Sequence, residues 1–184
     1  AWVRFKVAAT DHLRTLQLIY QVRDAWRQRS AVAVAGGGPG VDLAALAEPR
    51  DEAWRDAWEL TDRLLVETAR EAARHQARFW LLTVTSDVQV HPDDSVRKSA
   101  CRQLGVKDLS YADRRLERLG RQHDFAVLNL AEPLGRHASE NRVYLHGFDN
   151  TQLGVGHWNV AGHRLAAEIA AAGICERLQT EPEK

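Results

Sequence analysis

Methionine is absent from the 184 residues, and the first residue is an alanine. A processed start or a piece of a longer protein is therefore the expected origin of the chain. Neither sign of charge is in excess, with 25 Lys and Arg set against 25 Asp and Glu. A nucleic-acid partner is not expected, because such proteins carry a basic stripe that meets phosphates. No apolar run approaches the roughly 18–20 residues a helix needs to cross a bilayer. No secretory leader is recognisable; one upstream, or an anchor there, would place the protein in the periplasm or on a membrane.

Cysteine is scarce. Cys101 and Cys175 lie far apart and form no CxxC pair. They supply no metal framework and are read as two half-buried free thiols, with a single disulfide left open. His137, His146, His157 and His163 can be grouped as zinc ligands on paper. Structural zinc sites use close ligand pairs, however, and HExxH is absent. No metal and no cofactor are expected.

What is present describes an ordinary globular chain, since 45% of residues are hydrophobic and 27% charged. The length suits one domain spanning 1–184. Within it, 1–50 read as a helix and glycine-rich connector, 51–175 as the core, and 176–184 as a polar tail. Val7, Leu13, Leu16, Ile19, Tyr20 and Val22 recur at helical spacing and predict a helix over 5–28. The run Gly36-Gly37-Gly38-Pro39-Gly40 is loop chemistry. It has neither the GxGxxG nor the Lys-Ser/Thr pattern of a phosphate cradle.

Residues 51–76 give the clearest helix. Trp54, Trp58, Thr61, Leu65 and Ala72, with Ala57, Leu64 and Thr68 beside them, predict a stripe that faces a core. Phe79-Trp80-Leu81-Leu82-Thr83-Val84-Thr85 suits a parallel strand buried on both faces. A helix over 95–104 follows, with Ser95 as N-cap and Gly105 just past its end. Another opens at Ser110 to Asp113 and closes near Gly120. A second strand covers 125–130, and Val143-Tyr144-Leu145 is a short extended piece. The last helix runs from Val160 to Ala172, capped by Asn159 and stopped by Gly173. This order predicts an α/β fold with a parallel sheet. Two strands cannot cover their own edges, so further strands are expected upstream of Ala1.

Chemistry concentrates in the segment from Gly154 to Glu168, where a loop turns into the last helix. His157 stands just before the cap, and the positive end of a helix there favours the neutral imidazole that a general base requires. His163, one turn into the helix, is read as structural. Trp158 suits packing or a substrate wall, Asn159 a cap, and His91 a pocket lining or a solvated loop. Ser86 ends a strand without the glycines of a nucleophile elbow, so it is not expected to attack substrate.

The segment His157, Trp158, Asn159, Gly162, His163, Leu165, Ala166, Ala167 and Glu168 resembles the last sequence block of the SGNH (GDSL-type) hydrolases. Val88 to Asp93, Leu104-Gly105-Val106, Tyr111 to Arg115 and Leu145-His146-Gly147-Phe148 extend the resemblance over most of 51–175. It implies a three-layer parallel-sheet (flavodoxin-like) SGNH hydrolase fold, here without its N-terminal strands. It also implies a serine ester hydrolase or acyl transferase acting on O-acyl groups, O-acetyl among them, of carbohydrates, lipids or small molecules, with His157 as the base. The family's Gly-Asp-Ser nucleophile block and its Gly-x-Asn oxyanion block do not occur in this sequence. They are expected upstream. The family's orienting Asp falls at Gly154 or Val155, so Asp149, the nearest upstream carboxylate, is the substitute candidate. A dyad oriented by a backbone carbonyl is the other. A non-catalytic relative or degraded fragment, serving partner binding or folding only, is the competing reading.

Overall fold

A computed structural model describes residues 43–149 and 152–180. The predicted helix 5–28 and the glycine run 36–40 lie outside the described residues. Those described form a mixed α/β fold with a two-stranded parallel sheet and five α-helices. After a 3₁₀ turn at Leu43–Leu46 come α1 (Glu52–Arg74), β1 (Trp80–Thr83), α2 (Asp94–Leu104), α3 (Tyr111–His123), β2 (Ala126–Asn129), α4 (Ala131–Asn141) and α5 (Val160–Thr180).

The strands pair in the register Trp80 with Ala126 through Thr83 with Asn129. Two helices, α2 and α3, fill the crossover that a parallel connection requires. One face of the sheet carries Leu81 and Val127, which meet Val66, Leu119 and Phe125 with Leu65, Ala69 and Phe79 around them. On the other face Leu128 lies under α5 at Gly173, where a Cβ would stand 2.8 Å from Leu128 Cδ2. Leu82 and Val84 stay exposed, so β1 is not buried on both faces as its apolar run predicts.

The buried face of α1 is also rotated from the predicted stripe. Trp58 and Val66 are buried, with Trp54, Asp62, Leu65 and Ala69 half-buried, whereas Ala57, Thr61, Leu64 and Thr68 are exposed. A charged pair lies on the same side. Asp62 accepts from Arg115 of α3 at 3.1 Å (Nε) and 2.7 Å (Nη2). The Arg115 guanidinium also lies 5.3 Å from the Trp58 ring centre. The Trp58 indole N–H is buried without a hydrogen-bond partner among the described residues.

Helix ends follow local chemistry. Asp93, not Ser95, caps α2, its carboxylate accepting from the Ser95 amide at 2.8 Å. Gly105 closes α2 in the left-handed conformation, φ +64°. Ser110 precedes α3 without a side-chain cap bond, and α3 continues past Gly120 to His123. The 131–141 stretch is a helix that Pro133 and Gly135 disguise in the sequence. Pro133 occupies the first turn, where its missing N–H costs nothing, and Gly135 lies close to Gln89 and Val90. Residues 143–145 form no strand; one antiparallel bridge joins His146 to Trp158 instead. Gly173 does not stop α5, because its bare Cα is what admits Leu128. Cys101 and Cys175 are both free; Cys175 is exposed rather than half-buried, on the outer side of α5.

Candidate functional site

The C-terminal end of β1 leads directly into Thr83, Thr85, Ser86 and Asp87, all buried. Polar side chains buried in this way need partners. Thr83 Oγ1 accepts from the Leu130 amide at 3.3 Å. Ser86 lies in a turn closed by Gln89, whose Oε1 accepts from the Ser86 amide at 2.9 Å. Gln89 donates in turn to the Leu109 carbonyl and to Asp113. Burial pushes the Asp113 carboxyl above its ordinary range, while the bond from Gln89 pulls the other way. This lattice holds the turn 86–90 that aims Asp87.

Asp87 is 4% exposed and receives two amides. Its Oδ1 accepts from Val88 at 2.7 Å and its Oδ2 from Gly156 at 2.8 Å. The Gly156 carbonyl is bound as well, by His146 Nδ1 at 2.6 Å. A carbonyl only accepts, so the His146 proton resides on Nδ1. His146 Nε2 then accepts from the Thr85 hydroxyl at 3.3 Å, and Thr85 Oγ1 accepts from Trp158 Nε1 at 2.9 Å. Every donor in this chain faces an acceptor. His146 is buried, and burial holds its pKa below the usual imidazole value despite the Gly156 carbonyl and Asp87.

His157 follows Gly156 and is exposed. Its own carbonyl accepts from the Gly147 amide at 2.9 Å. Two residues on, the Asn159 amide donates to the Leu145 carbonyl at 3.0 Å. Asn159 caps α5 as predicted, its Oδ1 accepting from the Gly162 amide at 2.9 Å. Its Nδ2 adds a bond to the Tyr144 carbonyl at 2.8 Å. Thus the backbone on both sides of His157 is fixed while its imidazole points away from the core.

The glycines of this segment have separate reasons. Gly154 and Gly156 have φ of +81° and +91°, which other residues rarely adopt. A Cβ on Gly162 would lie 2.2 Å from the Leu145 carbonyl oxygen.

The other sequence candidates fall as follows. Asp149 is exposed, and no hydrogen bond or ion pair joins it to His157 among the described residues. His163 is exposed, with its ring edge-on to Trp158 at 5.5 Å. Trp158 is half-buried and bonded inward, which is the packing role. His91 is half-buried, takes the Asp93 amide on Nδ1 at 3.1 Å and stands edge-on to Tyr144. Among the described residues no three His, Cys, Asp or Glu side chains converge as metal ligands. No helix of the described residues is long and apolar enough to cross a membrane.

Asp87 and Thr85 were not singled out by sequence, and His146 entered only through a zinc grouping and as one residue of a block resembling the SGNH hydrolases, with no role assigned to it. The available signal was a carboxylate placed directly after a buried strand, where an unpaired charge is costly. No protein-family model, curated protein or solved structure matches the chain.

Proposed function

We propose that residues 51–175 are the C-terminal part of an SGNH-type hydrolase domain, of the three-layer parallel-sheet form, with His157 as general base. The reaction is ester hydrolysis or acyl transfer on O-acyl groups of a carbohydrate or small molecule. A serine from a Gly-Asp-Ser block outside this sequence attacks the acyl carbonyl. His157 takes the serine proton and returns it to the leaving alcohol, and water reverses the sequence to release the acid.

One observation carries the reading. His157 is an exposed imidazole on a segment whose flanking peptides are held by four hydrogen bonds, at the C-terminal end of a parallel strand. Sites of open α/β sheets form at that end, and a base works best when the backbone that carries it is held in place. The sequence resemblance supplies the class of reaction.

A non-catalytic relative is the second reading, favoured by Gly154 in the place of the family's orienting Asp and by the absence of a bond between Asp149 and His157. The test is p-nitrophenyl acetate hydrolysis by the protein extended through its upstream sequence, beside residues 1–184 alone. Saturable turnover by the longer protein, removed by His157→Ala, supports the enzyme. An upstream sequence without Gly-Asp-Ser, or turnover indifferent to His157→Ala, overturns it.

A further inference from the structure

We propose that His146 is the positioning residue of this site: fixed by Thr85 as the Nδ1–H tautomer, it clamps the Gly156 carbonyl while Asp87 clamps the Gly156 amide, so that the His157 imidazole is presented in one setting. Its catalytic consequence rests on the reading of His157 as a base.

The geometry makes His146 suited to this and not to direct chemistry. It is 3% exposed, so no substrate reaches it. Both ring nitrogens are already committed, Nδ1 to Gly156 and Nε2 to Thr85. The direction of the chain is set at Gly156. Its carbonyl can only accept, so the ring proton sits on Nδ1. Nε2 is then an acceptor for the Thr85 hydroxyl, whose oxygen still takes the Trp158 indole N–H. Trp158 is itself the residue after His157. The same relay thus holds the peptide before His157 and the side chain after it. The charged and titratable groups that face His146 are Asp87 and His157. The backbone bonds from the Gly154 amide to the His146 carbonyl (2.9 Å) and from the Gly147 amide to the His157 carbonyl (2.9 Å) close the segment around the same ring.

Two substitutions separate clamping from mere filling of space. In His146→Asn the side-chain amide can take the place of Nδ1–H and keep the bond to Gly156. In His146→Leu the volume stays and the donor goes. The first readout is made on residues 1–184 without any substrate. Long-range ¹H–¹⁵N spectra should show His146 as the Nδ1–H tautomer at neutral pH, and Gly156 amide exchange should quicken at least tenfold in His146→Leu but less in His146→Asn. An Nε2–H tautomer, or Gly156 exchange unchanged in His146→Leu, overturns the clamp.

The second readout uses the extended, active protein. His146→Leu should lower kcat about 100-fold with KM nearly unchanged, as misplacement of a base does, and His146→Asn should recover most of that loss. A fall in melting temperature with kcat intact would make His146 structural only and overturn the positioning role. If the extended protein has no esterase activity, the function proposed above fails, whereas the clamp is still judged by the spectra.

Discussion

Asp87 and Gly156 stand 69 residues apart in sequence and are joined by a 2.8 Å hydrogen bond from the Gly156 amide to the Asp87 carboxylate. Removing that carboxylate leaves the amides of Val88 and Gly156 without their acceptor in a buried place. Asp87→Ala should therefore cost about 1.5–3 kcal/mol, the range for hydrogen bonds to a charged group. Asp87→Asn keeps one acceptor oxygen and should cost less. Urea unfolding midpoints of the three proteins check the order, and an Asp87→Ala protein as stable as the parent would contradict it.

Stability should fall in mild acid because of His146. Its folded pKa lies below the ordinary imidazole value, so the unfolded chain binds its proton first as pH drops. The contribution is complete above that ordinary value and is lost as pH falls from there through the lower folded value. One proton limits the slope to about 1.4 kcal/mol per pH unit. Urea melts between pH 7.5 and 5 should show a steeper decline for the parent than for His146→Asn. Identical slopes would show that His146 titrates alike in both states.

Gly156→Ala and Gly162→Ala should differ in kind. At Gly156 a Cβ meets nothing within 4 Å, so only the positive φ is strained, at a cost of about 1 kcal/mol. At Gly162 the Cβ would enter the Leu145 carbonyl, so α5 must shift from the 145 segment. Overpacking of that kind costs about 1–3 kcal/mol or more. Gly162→Ala should melt at the lower temperature, and the reverse order would show that the strain at Gly156 dominates.

His157→Ala and His163→Ala test the division of labour in one short motif. Both side chains are exposed, so His157→Ala should change stability by no more than about 0.5 kcal/mol. In the extended protein it should reduce turnover about 10²–10⁴-fold. His163→Ala removes an edge contact with Trp158 and should lower the melting temperature slightly more than it lowers the rate. Loss of turnover in His163→Ala alone would reverse the assignment.

The parallel pairing of β1 and β2 could be read from two apolar runs separated by helical sequence, because burial of a crossover sheet writes itself as hydrophobicity. Asn159 was readable for a similar reason: capping is local chemistry. Long-range polar matches were not. The buried side of α1 includes Asp62 meeting Arg115, 53 residues away, and hydrophobic spacing carries no trace of that pair. Helix α4 is hidden because Pro133 and Gly135 are helix breakers by propensity, overridden by first-turn placement and by close packing against Gln89 and Val90. His157 was legible as a motif histidine just before a helix cap, but the contacts of Thr85, Asp87 and His146 around it become visible only when the end of β1 meets the 146–158 segment.

The hold on Gly156 also fixes when the site can exist during folding. Its acceptor comes from the end of β1 and its donor from residue 146, so the loop closes only after a 69-residue span of chain has come together. Helix α5 and its Asn159 cap need no such closure and can form within their own stretch. A peptide covering 143–180 should thus gain helix while His157 stays conformationally free. The setting of His157 belongs to the assembled sheet, and it should be among the first features lost when β1 loosens.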